Sequence, residues 1–370
     1  MNPDASGFIS LAREAIKSAM AIDAIKVFGL LALSFGTAIV WTPILTHGLY
    51  KYRLWRRTVR TTSPDGSGTP LFAALHRDRE TRVPRMGGLL VWVTTALIAL
   101  LVWLIAQATE NAFFDKANFL SRNQTWLPLF TMLAAALLGM ADDLAQIFGR
   151  GKYIAGGIQF RWRLAAIVGI GLLGGWWFHF KLGWQTIYVP GWGDAFINGW
   201  YVPLFVFTMV ALFSTGVVDG IDGLAGGVFG AAFAAYGGIA FFRGQIDLAA
   251  FSAVVLGALL AFLWFNIPPA RFYMGESGIM ALTASLTVIA FLTDSVLVLP
   301  IIGSVLFMES ASVIIQFLSK RIRKKKVFLI APIHHHFEAR GWQPEKVTMR
   351  FWIIGTVSAI VGIATALIGR

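Results

Sequence analysis

Residues 200–242 read WYVPLFVFTMVALFSTGVVDGIDGLAGGVFGAAFAAYGGIAFF, two apolar runs parted only by Asp219-Gly220-Ile221-Asp222-Gly223. At about 1.5 Å per helical residue, each run can cross the roughly 30 Å hydrocarbon layer of a bilayer. A helix satisfies its backbone hydrogen bonds within one segment, which lipid requires. The pair therefore reads as a membrane hairpin whose connection presents two carboxylates at one membrane face. Asp-Gly is a common turn dipeptide, yet so short a loop holds both acids against the membrane.

The pattern repeats along the chain. Candidate spans lie near residues 25–45, 86–106, 127–147, 164–180, 200–218, 224–242, 248–266, 279–293, 296–318 and 350–368. Composition agrees: 57% of the 370 residues are hydrophobic and 14% charged, against about 25% charged in soluble domains. The expected fold is an all-α polytopic membrane protein of about ten transmembrane helices. Residues 1–24 carry Asp4, Arg13, Glu14 and Lys17 among apolar positions and read as an interfacial segment. Residues 25–370 then form the transmembrane domain. The turn-rich stretch 181–199, with Val189-Pro190-Gly191-Trp192-Gly193, reads as a small interfacial hairpin.

With ten spans, alternate loops share a side. One side collects 23 of the 31 Lys and Arg residues, so the positive-inside rule places it in the cytoplasm and both termini outward. The net charge of +12 follows from that topology and from anionic lipids and substrates, and no nucleic-acid partner is expected. Without cysteine there is neither a disulfide nor a thiolate metal site.

Every notable polar cluster falls on the same cytoplasmic side: Asp142-Asp143, Asp219 with Asp222, the stretch from Asn266 to Gly278 with Glu276, and His334-His335-His336-Phe337-Glu338. Acids at bilayer depth are costly to desolvate and are usually paired or functional. Their convergence on one face points to a cation site, and Mg²⁺ is a hard ion suited to carboxylate, water and phosphate oxygens. Zinc wants converging ligands, whereas neighbouring side chains diverge. The histidines, preceded by Lys320, Arg321, Arg323, Lys324, Lys325 and Lys326, therefore read as a phosphate-binding wall.

At the histidines the sequence resembles a known family. The stretch Ala331-Pro332-Ile333-His334-His335-His336-Phe337-Glu338, then Gly341-Trp342, Glu345-Lys346-Val347 and Arg350-Phe351-Trp352-Ile353-Ile354, is similar to the C-terminal motif of the phospho-N-acetylmuramoyl-pentapeptide transferases. These belong to the polyprenyl-phosphate N-acetylhexosamine-1-phosphate transferase superfamily. Met86-Gly87-Gly88, Asp142-Asp143, Asp219 to Ala225, and Asn266 with Met274-Gly275-Glu276-Ser277-Gly278 match in family order. The resemblance implies transfer of phospho-N-acetylmuramoyl-pentapeptide from its UDP donor to undecaprenyl phosphate in the bacterial inner membrane, giving UMP and lipid I. Mg²⁺ would be the cofactor, with Mn²⁺ as a substitute, and a homodimer is a family expectation. It further implies that Asp142 acts on the lipid phosphate with Asp143 beside it, and that His334, His335 and His336 complete the catalytic set. Glu276 would bind metal with Asp142 and Asp219. Tyr273 would stack on uracil, and Asp219, Asp222, Asn266, Arg85 and Arg163 would contact substrate.

Several positions depart from the family pattern. Glu276 replaces an aspartate, Phe213 and Gly216 replace asparagines, and Gln146 replaces a lysine. The usual Lys-x-Gly-Thr-Pro-Thr reads Glu80-Thr81-Arg82-Val83-Pro84-Arg85, with Arg79, Arg82 or Arg85 as the substitute cation, and Arg163 stands for another lysine. One rival reading is a related transferase using a UDP-GlcNAc-type donor, or a weakly active homologue. A transporter would place its acids near the midplane within repeated halves, and no repeat is evident.

Overall fold

The computed structural model describes residues 3–56, 81–121, 124–149 and 157–368. Its helices are α1 (Pro3–Lys51), α2 (Leu89–Ala108), α3 (Ala112–Ala117), α4 (Trp126–Phe148), α5 (Phe160–Trp176), α6 (Tyr201–Ser214), α7 (Leu224–Phe242), α8 (Ile246–Asn266), α9 (Gly275–Leu292), α10 (Leu299–Ile302), α11 (Ser304–Arg323), α12 (Ile333–Ala339) and α13 (Pro344–Leu367). Among the described residues nine helices are long and apolar enough to cross a membrane, and a bent pair raises the number to ten. The chain is an all-α polytopic membrane protein.

Two expectations are modified. Helix α1 runs unbroken through residues 24 and 25, where the sequence suggested a division between an interfacial segment and the first span. The ninth expected span, 296–318, is not one straight helix. Val296–Ile302 and Ser304–Arg323 meet at 80° around Gly303, a residue type at which sharp kinks concentrate. The expected hairpin forms from strands β1 (Thr186–Val189) and β2 (Gly193–Phe196), paired antiparallel with Thr186 opposite Phe196. Gly191 and Gly193 supply the positive φ values of its turn, +76° and +106°.

Helix α9 is the axis of the bundle and is buried along almost its whole length. Its threonine hydroxyls are satisfied within the helix: Thr283 donates to the Ile279 carbonyl and Thr287 to that of Thr283, both at 2.9 Å, whereas Ser277 Oγ, at the N-terminal end, is buried with no hydrogen-bond partner among the described residues. The threonines of a span inside the protein can thus bond to the carbonyls of the preceding turn. Close packing of α9 against α4 and against the start of α2 depends on missing side chains. A Cβ on Gly139 would lie 2.2 Å from the Glu276 carbonyl oxygen, and one on Gly88 would lie 2.3 Å from the Gly278 Cα.

The two ends of α9 differ. At its C-terminal end Asp294 accepts from the Tyr188 N–H at 3.0 Å, and the Tyr188 hydroxyl donates to the Ile368 carbonyl at 2.7 Å. The hairpin and the end of α13 therefore lie together there. Glu276 and the other acids lie at the N-terminal end.

Candidate active site

A helix begins with N–H groups that have no partner within the helix and a partial positive charge. Met274, which precedes α9, makes no side-chain cap. Two acids from other segments do the capping instead. Asp143 on α4 accepts from the Glu276 and Ser277 N–H groups at 3.0 and 2.9 Å, and Asp219 accepts from Gly275 at 2.9 Å. Gly275, at φ +72°, turns the chain so that these amides face the carboxylates. Arg85 Nε lies 3.7 Å from Asp143. Burial pushes the Asp219 carboxyl above its ordinary range, and Arg85 and the backbone donor of Gly275 pull it back.

Segment 84–88 is tied to the entry of α9 through its backbone. Tyr273 donates to the Pro84 carbonyl at 2.9 Å, Gly87 to that of Tyr273 at 2.7 Å and Gly88 to that of Met274 at 2.8 Å. The Met-Gly-Gly motif thereby carries Arg85 to the acids.

Asp142 faces a different set of partners. One carboxylate oxygen accepts from the Ile158 N–H at 2.6 Å; the other accepts from Gln146 Nε2 at 2.7 Å and Arg163 Nη1 at 3.0 Å. The same Arg163 nitrogen lies 3.1 Å from Glu276 Oε1. One cationic nitrogen is thus held between two carboxylates. On its other side Gln146 accepts from Arg56 through both Nε and Nη2.

The Asp219–Gly223 loop is clamped from three directions. Asp222 accepts from the Ala270 N–H at 3.1 Å, and its carbonyl accepts from the Thr348 hydroxyl at 3.0 Å. Asn266 accepts from Gly223 at 3.0 Å and donates to the Phe272 carbonyl at 2.8 Å, while Trp352 Nε1 donates to the Gly223 carbonyl at 3.1 Å. The Asn266 amide is therefore engaged with backbone at both ends.

His334 and His335 close the group. Their ring centroids are 4.0 Å apart, and a Cβ on Gly220 would lie 2.2 Å from His334 Nε2 and 3.1 Å from His335 Nε2. The adjacent imidazoles converge on this loop, contrary to the expectation that they diverge. Each is oriented by an acid: His334 Nδ1 lies 2.9 Å from Glu309 and His335 Nδ1 lies 2.5 Å from Glu338. His334 Nε2 is buried with no hydrogen-bond partner among the described residues. His336 turns elsewhere, its Nδ1 accepting from the Leu329 N–H at 3.1 Å. Burial and then Arg340 hold that imidazole below its usual range. Of the three histidines, only His334 and His335 meet the acidic loop.

The expected metal set of Asp142, Asp219 and Glu276 does not come together as three ligands. Among the described residues no group of three or more His, Asp or Glu side chains is placed to hold a metal ion, and Asp219 accepts from the first N–H of α9. Asp142 and Glu276 do converge on one cation, the Arg163 guanidinium. Mg²⁺ commonly takes one or two carboxylates and completes its shell with water and substrate phosphate. This pair of hard oxygen donors fits that pattern.

The departures also acquire physical meaning. Phe213 stacks on Phe160 with centroids 6.2 Å apart, and Gly216 makes room for Ile279, whose Cγ2 would lie 2.9 Å from an added Cβ. Both positions have become packing positions. Arg79 and Glu80 lie outside the described residues. Sequence reasoning missed Glu309 and Arg56, and it named Glu338 within the histidine motif without a role. Glu309 carried a signal, an acid within an apolar span; Arg56 carried none that would link it to Gln146.

Comparison with known proteins supports this reading. Residues 125–294 match the family model described as glycosyl transferase family 4. The chain is similar to a phospho-N-acetylmuramoyl-pentapeptide-transferase of Anoxybacillus flavithermus, 32% identical over 90% of this chain and 95% of that protein. Proteins of the same description from Levilactobacillus brevis and Ruegeria pomeroyi are 37% and 35% identical. Those matches cover 77% and 76% of this chain and 85% and 79% of the relatives.

Proposed function

The chain belongs to the phospho-N-acetylmuramoyl-pentapeptide-transferase family, and from that membership we propose that it transfers phospho-N-acetylmuramoyl-pentapeptide from UDP-MurNAc-pentapeptide to undecaprenyl phosphate in peptidoglycan synthesis. A phosphate oxygen of the lipid attacks the sugar-linked phosphorus of the donor. The pyrophosphate bond breaks, UMP leaves with its electron pair, and lipid I remains in the membrane. The observation that carries this reading is the cation bridge from Asp142 through Arg163 to Glu276 at the start of α9.

Two anionic phosphates must meet, so the work is positioning and charge neutralisation. Asp142 and Glu276 are the residues that would hold Mg²⁺, which supplies charge neutralisation for the phosphates when bound. Arg163 and Arg85 bring cationic donors beside the same acids. With three donors on its oxygens, Asp142 is suited to fixing the reactants and the ion in place. The positive end of α9 adds a partial charge of the sign that phosphate needs. His334, whose Nε2 has no partner among the described residues, and His335 provide imidazole nitrogens beside the Asp219 loop. The positive-inside rule, applied to the sequence, supports a cytoplasmic face in a bacterial inner membrane for this end of the bundle.

The test is UMP release by purified protein supplied with undecaprenyl phosphate and either UDP-MurNAc-pentapeptide or UDP-GlcNAc. Release from the first donor, abolished by EDTA and restored by Mg²⁺ or Mn²⁺, is expected. Release from UDP-GlcNAc alone would move the chain to a different donor class, and indifference to chelation would remove the metal.

A further inference from the structure

We infer that Arg56 is a positioning residue for Asp142, acting through the amide of Gln146; its bearing on turnover rests on the transferase reading above. Arg56, Gln146 and Asp142 are all buried, at 2%, 6% and 0% exposure. Arg56 Nε donates to Gln146 Oε1 at 3.0 Å and Nη2 donates to the same oxygen. Gln146 Nε2 donates to Asp142 Oδ2 at 2.7 Å.

The chemistry of the three groups permits only one orientation. A guanidinium has donors only and an ionised carboxylate has acceptors only. The amide between them must therefore turn its oxygen to Arg56 and its nitrogen to Asp142, which settles the assignment of O and N from the network. Remove Arg56 and the amide loses the group that holds its oxygen away from the carboxylate. The backbone seals the arrangement, since a Cβ on Gly157 would lie 3.0 Å from Asp142 Oδ1 and 3.4 Å from Gln146 Nε2. Ile158 N–H and Arg163 donate to Asp142 as well, so three of its roughly four acceptor sites are engaged. Arg56 thus fixes Asp142 in the orientation in which it also meets Arg163, and places a positive charge behind it.

Residue 146 carries no charge here, so the cation reaches Asp142 through one intervening amide. That arrangement can be inverted. In the double variant Arg56→Gln/Gln146→Lys, the ammonium would pair with Asp142 directly and the amide oxygen at 56 would accept from it. A shorter side chain at 56 is then matched by a longer one at 146.

The experiment compares the wild type, Arg56→Gln, Gln146→Lys and the double variant, by UMP release and by thermal unfolding in metal-free detergent buffer. Arg56→Gln should lower kcat about 30-fold, the scale of losing a hydrogen bond to a charged group, with little change in donor KM. Gln146→Lys alone sets two cations together and should fall comparably. The double variant should recover to within about fivefold of wild type, a coupling that independent sites would not show. Melting midpoints should follow the same order. Arg56→Lys, keeping the charge and one donor, should retain more activity than Arg56→Gln, and it carries the comparison if Arg56→Gln does not fold. Wild-type kcat in Arg56→Gln, or a double variant no better than the poorer single, would overturn the proposal. If the wild type releases no UMP from either donor, the transferase reading fails instead. The melting midpoints then decide whether the Arg56–Gln146–Asp142 link exists, and an absence of rescue there overturns it.

Discussion

Replacing Asp143 separates capping from chemistry. Its carboxylate is fully buried and accepts from two backbone N–H groups at the start of α9, those of Glu276 and Ser277. Asp143→Ala leaves both donors buried without partners, at about 1–3 kcal/mol each. It also removes a negative charge from a helix N-terminus, worth up to ~2 kcal/mol in a partly buried setting, and leaves Arg85 without its 3.7 Å neighbour. Water entering the gap offsets part of this, so a net loss of about 4 kcal/mol is expected. Asp143→Asn keeps one acceptor oxygen and should cost about half as much. Unfolding of the purified protein in micelles, followed by tryptophan fluorescence during denaturant titration, measures both losses. Turnover should fall as well, because Glu276 is positioned by the amides that Asp143 holds. If both variants unfold within about 0.5 kcal/mol of wild type, the trans-cap is not a stabilising contact, and any lost activity would belong to chemistry at Asp143 itself.

Asp142→Asn should abolish UMP release while leaving the melting midpoint within a few degrees of wild type; near-normal turnover would remove Asp142 from the mechanism. Glu276→Asp should retain activity but raise the Mg²⁺ concentration for half-maximal rate, since the shorter side chain draws back from the Arg163 position; an unchanged metal requirement would exclude Glu276 as a ligand. For Asp219 the sign follows from burial, which raises its carboxyl. Its favourable contribution to folding is full below the ordinary carboxylate value of about 4 and is lost as pH rises through the higher folded value. Asp219→Asn does not titrate, so its melting midpoint relative to wild type should be most favourable near neutrality and decline as pH approaches that range. A midpoint difference that is flat with pH, or that shifts in favour of Asp219→Asn on acidification, would refute the assignment.

The spans were legible because lipid demands long uninterrupted apolar runs, and the 181–199 hairpin because Pro190, Gly191 and Gly193 leave few other conformations. The clustering of Asp142, Asp219 and Glu276 at one end was legible from span parity. What was illegible depended on distance and orientation. The 80° break at Gly303 falls within a run whose apolar character does not change, so hydropathy passes straight over it.

Identical residue types proved harder still. Asp142 and Asp143 are neighbours in sequence, yet successive helical residues point about 100° apart. One therefore faces Arg163 and the other the amides of α9. Which does which depends on the contact that Gly139 allows between α4 and α9, and nothing in the Asp-Asp dipeptide records it. The histidines repeat the lesson in the opposite sense, since His334 and His335 converge on Gly220 while His336 bonds to Leu329. Glu276 and Gln146 both depart from the family pattern, Glu276 by one methylene and Gln146 by the loss of a lysine's charge. In the fold each has a cationic partner, Arg163 for one and Arg56 for the other. A departure from a family pattern at a charged position is therefore weighed only after the charges that three-dimensional packing brings to it have been counted.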